Sequence, residues 1–149
     1  MKRGIFMKPP VEHVKVSAKG REILIRVKRH TGLEHWNEIC RIALCRSLAN
    51  PNLPPQRSKA GDSNIDMDWK TFAGQFADEL TALILIRAQN DKVDIYNKSD
   101  LSEYFRAHLE RGIATLQGVR ELSTLVARKL ENHSITTPSQ NETNELYSE

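Results

Sequence analysis

Apolar and polar residues change rhythm along this chain, and each change marks an element. His13-Val14-Lys15-Val16-Ser17 alternates, with Val14 and Val16 on one face, which predicts a short strand. Over 18–30 the period lengthens. Ile23, Leu24, Val27 and, at the edge, His30 make one stripe of a helix that Ser17 can cap and Thr31-Gly32 stops. Ile25 falls off that stripe. A second helix is predicted over about 34–49. Trp36, Ile39, Cys40, Ala43 and Ser47 share one face, and Ile42, Leu44, Cys45 and Leu48 widen it. A helix apolar on most sides is covered by more than one partner. Two arrangements provide that: burial in an oligomer, or a central place in a monomeric bundle.

Asn50 to Asn64 reads as loop, and Ile65 to Phe72 as a short extended piece. A third helix is predicted over 75–90, with Phe76, Leu80, Leu83 and Ile84 inward and Ala88 at the edge. Arg87 shares that stripe, where its head can reach water over an apolar stem. Ser99 or Asp100 is expected to cap a fourth helix. Its stripe is Leu101, Tyr104, Phe105, His108, Leu109, Gly112, Ile113 and Leu116. Val119, Leu122, Val126 and Leu130 continue the phase past Gly118, as one long helix or two nearly collinear ones. From Asn132 onward Ser, Thr, Asn, Glu and Pro dominate, which predicts disorder. The expected fold is therefore mainly α. A short strand plus two helices, like a ribbon-helix-helix unit, opens a single domain over 1–131, further helices follow, and 132–149 is a polar tail.

At 149 residues one domain with a sizeable core is expected. Cys40 and Cys45 point about 140° apart on one helix, so they neither bridge each other nor form a CxxC pair. Two such thiols suit a reducing, cytoplasmic compartment. No apolar run approaches the ~18 residues of a membrane span, and Ile5-Phe6-Met7 is too short for a signal core. No phosphate loop, HExxH, nucleophile elbow or zinc spacing occurs. His108 reads as a hydrogen-bonded core histidine and Cys40 as an inert small hydrophobe. Glu79, Glu103 and Glu110 fall at surface helical positions, with Arg106 and Glu110 spaced for an i,i+4 pair. An enzyme is not expected, and neither is a cofactor or metal.

Charge adds the functional lead. Thirteen of the 22 Lys and Arg fall in residues 1–61, against four acids there, so the remainder of the chain is net acidic. On the first helix Lys19 and Arg26 share one flank, Arg21 and Lys28 the other, and Arg29 lies beside Glu22 opposite the apolar stripe. Lys15 is on the polar face of the strand. Phosphate binding needs such an array, because each neutralised phosphate releases counterions. The bland alternative is a solvated helix face. That face normally mixes its charges, whereas here one acid meets five bases between residues 19 and 29. A strand followed by two helices can also pair with a second copy into a ribbon that enters the major groove, with His13, Lys15 and Ser17 toward the bases. The same strand fits equally as an edge in a mixed fold. Trp36, Trp69 and Phe72 read as core or loop anchors rather than a stacking platform for single strands.

The run Thr31-Gly32-Leu33-Glu34-His35-Trp36-Asn37-Glu38-Ile39-Cys40-Arg41-Ile42-Ala43-Leu44-Cys45-Arg46-Ser47-Leu48 resembles the DndE family of bacterial DNA sulfur-modification proteins. Val14-Lys15-Val16-Ser17 is similar to its opening strand, Trp69-Lys70-Thr71-Phe72-Ala73-Gly74 to its aromatic-x-Thr-apolar-x-Gly segment, and Tyr104 to Gly112 to its late helix. Asp68 stands where the family pattern has Asn, and Gln75 where an acid is common; Arg57, Ser58 and Lys59 occupy the loop where it has a lysine. The resemblance spans about residues 13–117. It implies a small, non-catalytic subunit that works beside a cysteine desulfurase, a sulfurtransferase and an SMC-like ATPase, which together replace a non-bridging phosphate oxygen of DNA with sulfur. It implies a homo-oligomer, possibly a tetramer, that binds duplex DNA, with a preference for nicks, through surface lysines. By position the candidate DNA-binding residues are Lys15, Lys19, Arg21, Arg26, Lys28 and Arg29. Two rivals stand beside this reading: a ribbon-helix-helix transcriptional regulator, and a protein–protein adaptor that does not touch DNA.

Overall fold

The computed structural model describes residues 8–56 and 61–127. The expected tail at 132–149, Leu130, the side chain of Val126, and loop residues Arg57, Ser58 and Lys59 lie outside the described residues. The element order is β1 (His13–Ser17), α1 (Ala18–Thr31), α2 (Trp36–Ala49), β2 (Asp62–Asp68), α3 (Trp69–Ala73), a single 3-10 turn at Gly74–Phe76, α4 (Ala77–Asn90), α5 (Lys98–Ala114) and α6 (Leu122–Ala127). Mainly helical structure behind a short N-terminal strand is as expected.

Alternation in β1 buries Val14 and Val16 completely. The strand's partner is β2 of the same chain, antiparallel, with His13 opposite Asp68 and Lys15 opposite Asp66. The register shifts between Lys15 and Ser17. The two-stranded ribbon is thus made within one chain. Ser17 leaves the ribbon and caps α1, its Oγ accepting from the Gly20 N–H at 3.0 Å. The same hydroxyl donates to Glu110 Oε2 at 2.8 Å, and the Ser17 N–H donates to Glu110 Oε1. Ser17 is therefore buried and turned away from any groove-facing surface. Glu110 is half-buried and holds α5 to the β1–α1 junction instead of pairing with Arg106. Gly32, at φ 75°, ends α1 in the left-handed conformation that favours glycine.

Helix α2 is the centre of the bundle. It packs on α5, α3 and α1, which explains within one chain why it is apolar on most sides. Its closest neighbour is α5. A Cβ built on Gly112 would lie 1.8 Å from the Ala43 carbonyl oxygen, so the crossing requires glycine. Trp69, Phe72 and Phe105 cluster beside this seam with ring centroids 5.3–5.7 Å apart, Phe105 edge-on to both others and Trp69 tilted on Phe72.

Several boundaries differ from the sequence reading. β2 begins three residues before the expected extended piece and ends at Asp68. Residues 69–72 are helical because the Asp68 carboxylate caps α3, accepting from the Thr71 N–H at 2.6 Å. That bond, ahead of a second contact with the Thr71 side chain, lowers the Asp68 pKa. Asn97, rather than Ser99 or Asp100, caps α5 by accepting from both of their N–H groups. The late stripe makes two helices. Leu116 and Val119 stay in the core, but the chain turns at 115–118 through Gly118 at φ 87° before α6. On α4, Leu80, Ile84 and Ala88 face inward as expected, whereas Phe76 and Leu83 face solvent. Phe76 precedes α4 in the 3-10 turn, which rotates it off the helix phase, and Leu83 joins Ile86 on the outer side.

Candidate nucleic-acid interface

Burial of Gly20, Ile23, Leu24 and Val27 fixes the rotation of α1 about its axis. All other positions then follow from ~100° per residue. Lys19, Arg26 and Arg29 are exposed, and Arg21 and Lys28 are half-buried at the edge toward α2. Lys15 is half-buried on β1, opposite Asp66, whose carboxylate meets His13 Nδ1 at 3.0 Å. Five of the six predicted residues therefore lie on the part of α1 turned away from its buried stripe, and Lys15 lies on the ribbon beside Asp66. Lys19, Arg21, Arg26 and Arg29 make no hydrogen bond or ion pair with a described residue. Lys28 differs. Its Nζ sits 4.5 Å from the centre of the Trp36 ring, which fixes the start of α2 against the end of α1.

Two depressions flank the helix. On the Arg21 side a cleft of about 550 Å³ runs between α1, the start of α2 and β2, with Trp36, Asn37, Asn64 and Thr71 in its lining. It also contains Glu38 and Asp66, so its charge is mixed. On the Arg26 side a groove of about 170 Å³ separates α1 from the turn that follows α5. Arg120 stands on its far rim. The sequence gives no sign of Arg120, an isolated base in the acidic half; only the turn at 115–118 brings it beside α1.

The polar groups nearer the core are committed elsewhere. Arg111 donates to Ser47 Oγ, to the Ser47 carbonyl and to the Asn52 carbonyl at 2.7–2.8 Å. Arg87 donates to the Leu48 and Asn52 carbonyls and to Asp91, rather than reaching into water. Together they fasten the end of α2 and the turn after it. Burial acts to raise the Asp91 pKa, but hydrogen bonds from Tyr104 and Arg87, with the Arg87 charge, hold it below the usual carboxylate value. His108 is fully buried, its Nδ1 2.8 Å from Ser47 Oγ. Burial, then the positive charges of Arg111 and Arg87, push it down to about 4. Burial pushes the Cys40 thiol up to about 12, with Glu110 adding to the rise. Among the described residues no group of three or more His, Cys, Asp or Glu is disposed to hold a metal ion. None of their helices is long and apolar enough to cross a membrane.

The family profile described as DNA sulphur modification protein DndE matches residues 13–124. The chain belongs to the DndE family. That span runs from β1 into α6, so the basic face and the groove beside it both belong to the DndE-like region. The fold is shared with the crystal structure of DndE from Escherichia coli B7A, a protein involved in DNA phosphorothioation modification. The TM-score is 0.58 at 24% identity, over 74% of this chain and 99% of that one. A crystal structure of a glycine-to-lysine DndE mutant involved in DNA phosphorothioation gives a TM-score of 0.54 at 20% identity, over 72% and 97%. No curated protein matches the chain. A place in the DNA sulfur-modification system follows from family membership.

Proposed function

We propose that this DndE-family chain is a non-catalytic DNA-binding subunit of a cytoplasmic phosphorothioation complex. It holds duplex DNA, preferentially at nicks, while the sulfurtransferase and SMC-like ATPase of the system act. The observation that carries the binding reading is the set of outward bases on α1 without acidic partners among the described residues. Such charges are solvated at little cost and release counterions from a phosphate backbone. The non-catalytic reading is supported by the state of the nucleophile and base candidates: Cys40 is sealed and protonated, and His108 is spent on Ser47. Replacing Lys19, Arg26 and Lys28 together by Ala should weaken binding to every duplex sequence. It should also flatten the plot of log K against log salt by about 2.7, since each phosphate left unneutralised takes ~0.9 from the slope. An unchanged slope would sink the reading. Competition between nicked and intact duplexes of one sequence tests the nick preference.

The homo-oligomer belongs to the same proposal, and α4 supplies a surface for it. Leu83 and Ile86 are exposed on its outer side, and Phe76 is exposed in the turn that precedes it. In an antiparallel contact with a second copy, Asp78 and Glu79 at one end of α4 would lie near Lys92 beyond the other end, which matches opposite charges around an apolar centre. Leu83→Glu should lower the mass measured by light scattering to that of a smaller species. An unchanged mass would place the contact elsewhere.

A further inference from the structure

The groove between α1 and the turn at 115–120 has an apolar floor and a cationic rim. Ile23, Val27, Leu116 and Val119 form the floor, all of them buried in the core. Arg26 and His30 rise on the α1 side, and Arg120 on the other. Among the described residues no carboxylate lines the groove. Arg26 and Arg120 come from separate segments, and neither has a hydrogen bond or ion pair with a described residue. Like charges that converge on one small groove repel, and an anion between them reverses the sign of that interaction. The backbone turn sets this up. Gly118 at φ 87° returns Val119 to the core, and Arg120 is thereby left at the rim.

We propose that this groove is a phosphodiester site in which Arg26 and Arg120 straddle a single backbone phosphate of duplex DNA lying along α1. The inference rests on the DNA-binding reading above and deepens it. It carries the interface from one helix onto a second element and so fixes where the backbone runs. Guanidinium groups suit this task, since their planar forks match phosphate oxygens. His30 borders the same phosphate from the α1 side.

The test uses the full-length chain and one fluorescent duplex, titrated from 50 to 200 mM salt. The variants are Arg26→Gln, Arg120→Gln, the double variant and Arg120→Lys, each with its melting temperature. Each single Gln variant should bind less tightly, with a slope of log K against log salt flatter by about 0.9. Its deficit relative to the parent should therefore shrink by about 3.5-fold over that fourfold salt range. The double variant should also lose only about 0.9, because both arginines serve one phosphate. Arg120→Lys should restore most of the slope. Equal losses that add to about 1.8 in the double would overturn the shared site. So would an Arg120→Gln variant with the parental slope while Arg26→Gln is flattened. An Arg120→Lys variant as impaired as Arg120→Gln, with an equally lowered melting temperature, would assign Arg120 to holding the turn instead. If the triple variant Lys19/Arg26/Lys28→Ala also binds like the parent, the DNA-binding reading itself fails, which separates the two ideas.

Discussion

Arg26 on α1 and Arg111 on α5 carry the same side chain into opposite circumstances. Arg26 is exposed and has no acceptor among the described residues, whereas Arg111 is half-buried and spends its donors on Ser47 and Asn52. The contrast extends to their neighbours. Arg21 and Arg29 go with Arg26, while Arg41, Arg46 and Arg87 bind carbonyls of Phe72, Thr115 and Leu48. Arginine content alone therefore says little about nucleic-acid binding. What separates the two sets is whether the protein already supplies the acceptor. Removing a bound arginine should cost stability and spare the DNA affinity per folded molecule; removing a free one should do the reverse.

The seam that positions the bound set is the most sensitive place. Gly112→Ala adds a methyl 1.8 Å from the Ala43 carbonyl oxygen, a backbone atom that no rotamer change can move. Alanine gains about 1 kcal/mol of helix propensity, but separating α2 from α5 loosens the centre of the core. The overlap wins, and a net destabilisation of at least about 3 kcal/mol is expected in urea unfolding. A stability change under about 1 kcal/mol would mean that the helices slide freely and that the bound arginines do not depend on a fixed crossing.

Acid should act on the same region by a different route. His108 has a folded pKa of about 4, below its ordinary 6.5, because it is buried beside Arg111 and Arg87. The folded state therefore binds fewer protons than the unfolded state between those values. Stability is full above about pH 6.5, falls as pH drops toward 4, and loses roughly 3 kcal/mol in total over that window. The urea midpoint measured from pH 7 to pH 4 reads this directly. His108→Phe should flatten the dependence. If it does not, another group dominates acid unfolding.

Arg111→Met comes next. It leaves the carbonyls of Ser47 and Asn52, and one lone pair of the Ser47 hydroxyl, without this donor. About 2 kcal/mol of destabilisation is expected, with the salt slope of DNA binding unchanged. A flattened slope would move Arg111 into the interface and erase the contrast with Arg26.

The two sets were unequally legible in the sequence. The free set follows from periodicity, because the apolar positions Ile23, Leu24 and Val27 fix the rotation of α1 and the other side chains fall into place around it. The bound set does not. Arg87 lies on an apolar stripe, where a snorkelling side chain and an inward clamp look identical until Asn52 is placed beside it. Glu110 sits at a surface helical position, and only the fold brings Ser17 to it. The groove at Arg120 depends on a glycine turn that the continuous apolar phase from Leu101 to Leu130 conceals. The core helices, the Ser17 cap and the Gly32 stop were readable because each is encoded within a few residues. Contacts between distant parts of the chain, such as Arg87 with Asn52 and Glu110 with Ser17, were not.

The smallest predicted effect is the most direct test of the free set. Arg29 points away from the core and makes no hydrogen bond or ion pair with a described residue, so Arg29→Ala should change stability by less than about 0.5 kcal/mol. Lys28 is the intermediate case. It lies over Trp36 at 4.5 Å, and Lys28→Ala should cost about 0.5–1 kcal/mol through that interaction. Both variants should weaken duplex binding. Comparing them separates charge from packing, since Lys28→Arg keeps both the charge and a cation over the ring. If Arg29→Ala destabilised as much as Arg111→Met, the outward bases would be part of the scaffold, and a DNA surface would have to be sought on another face.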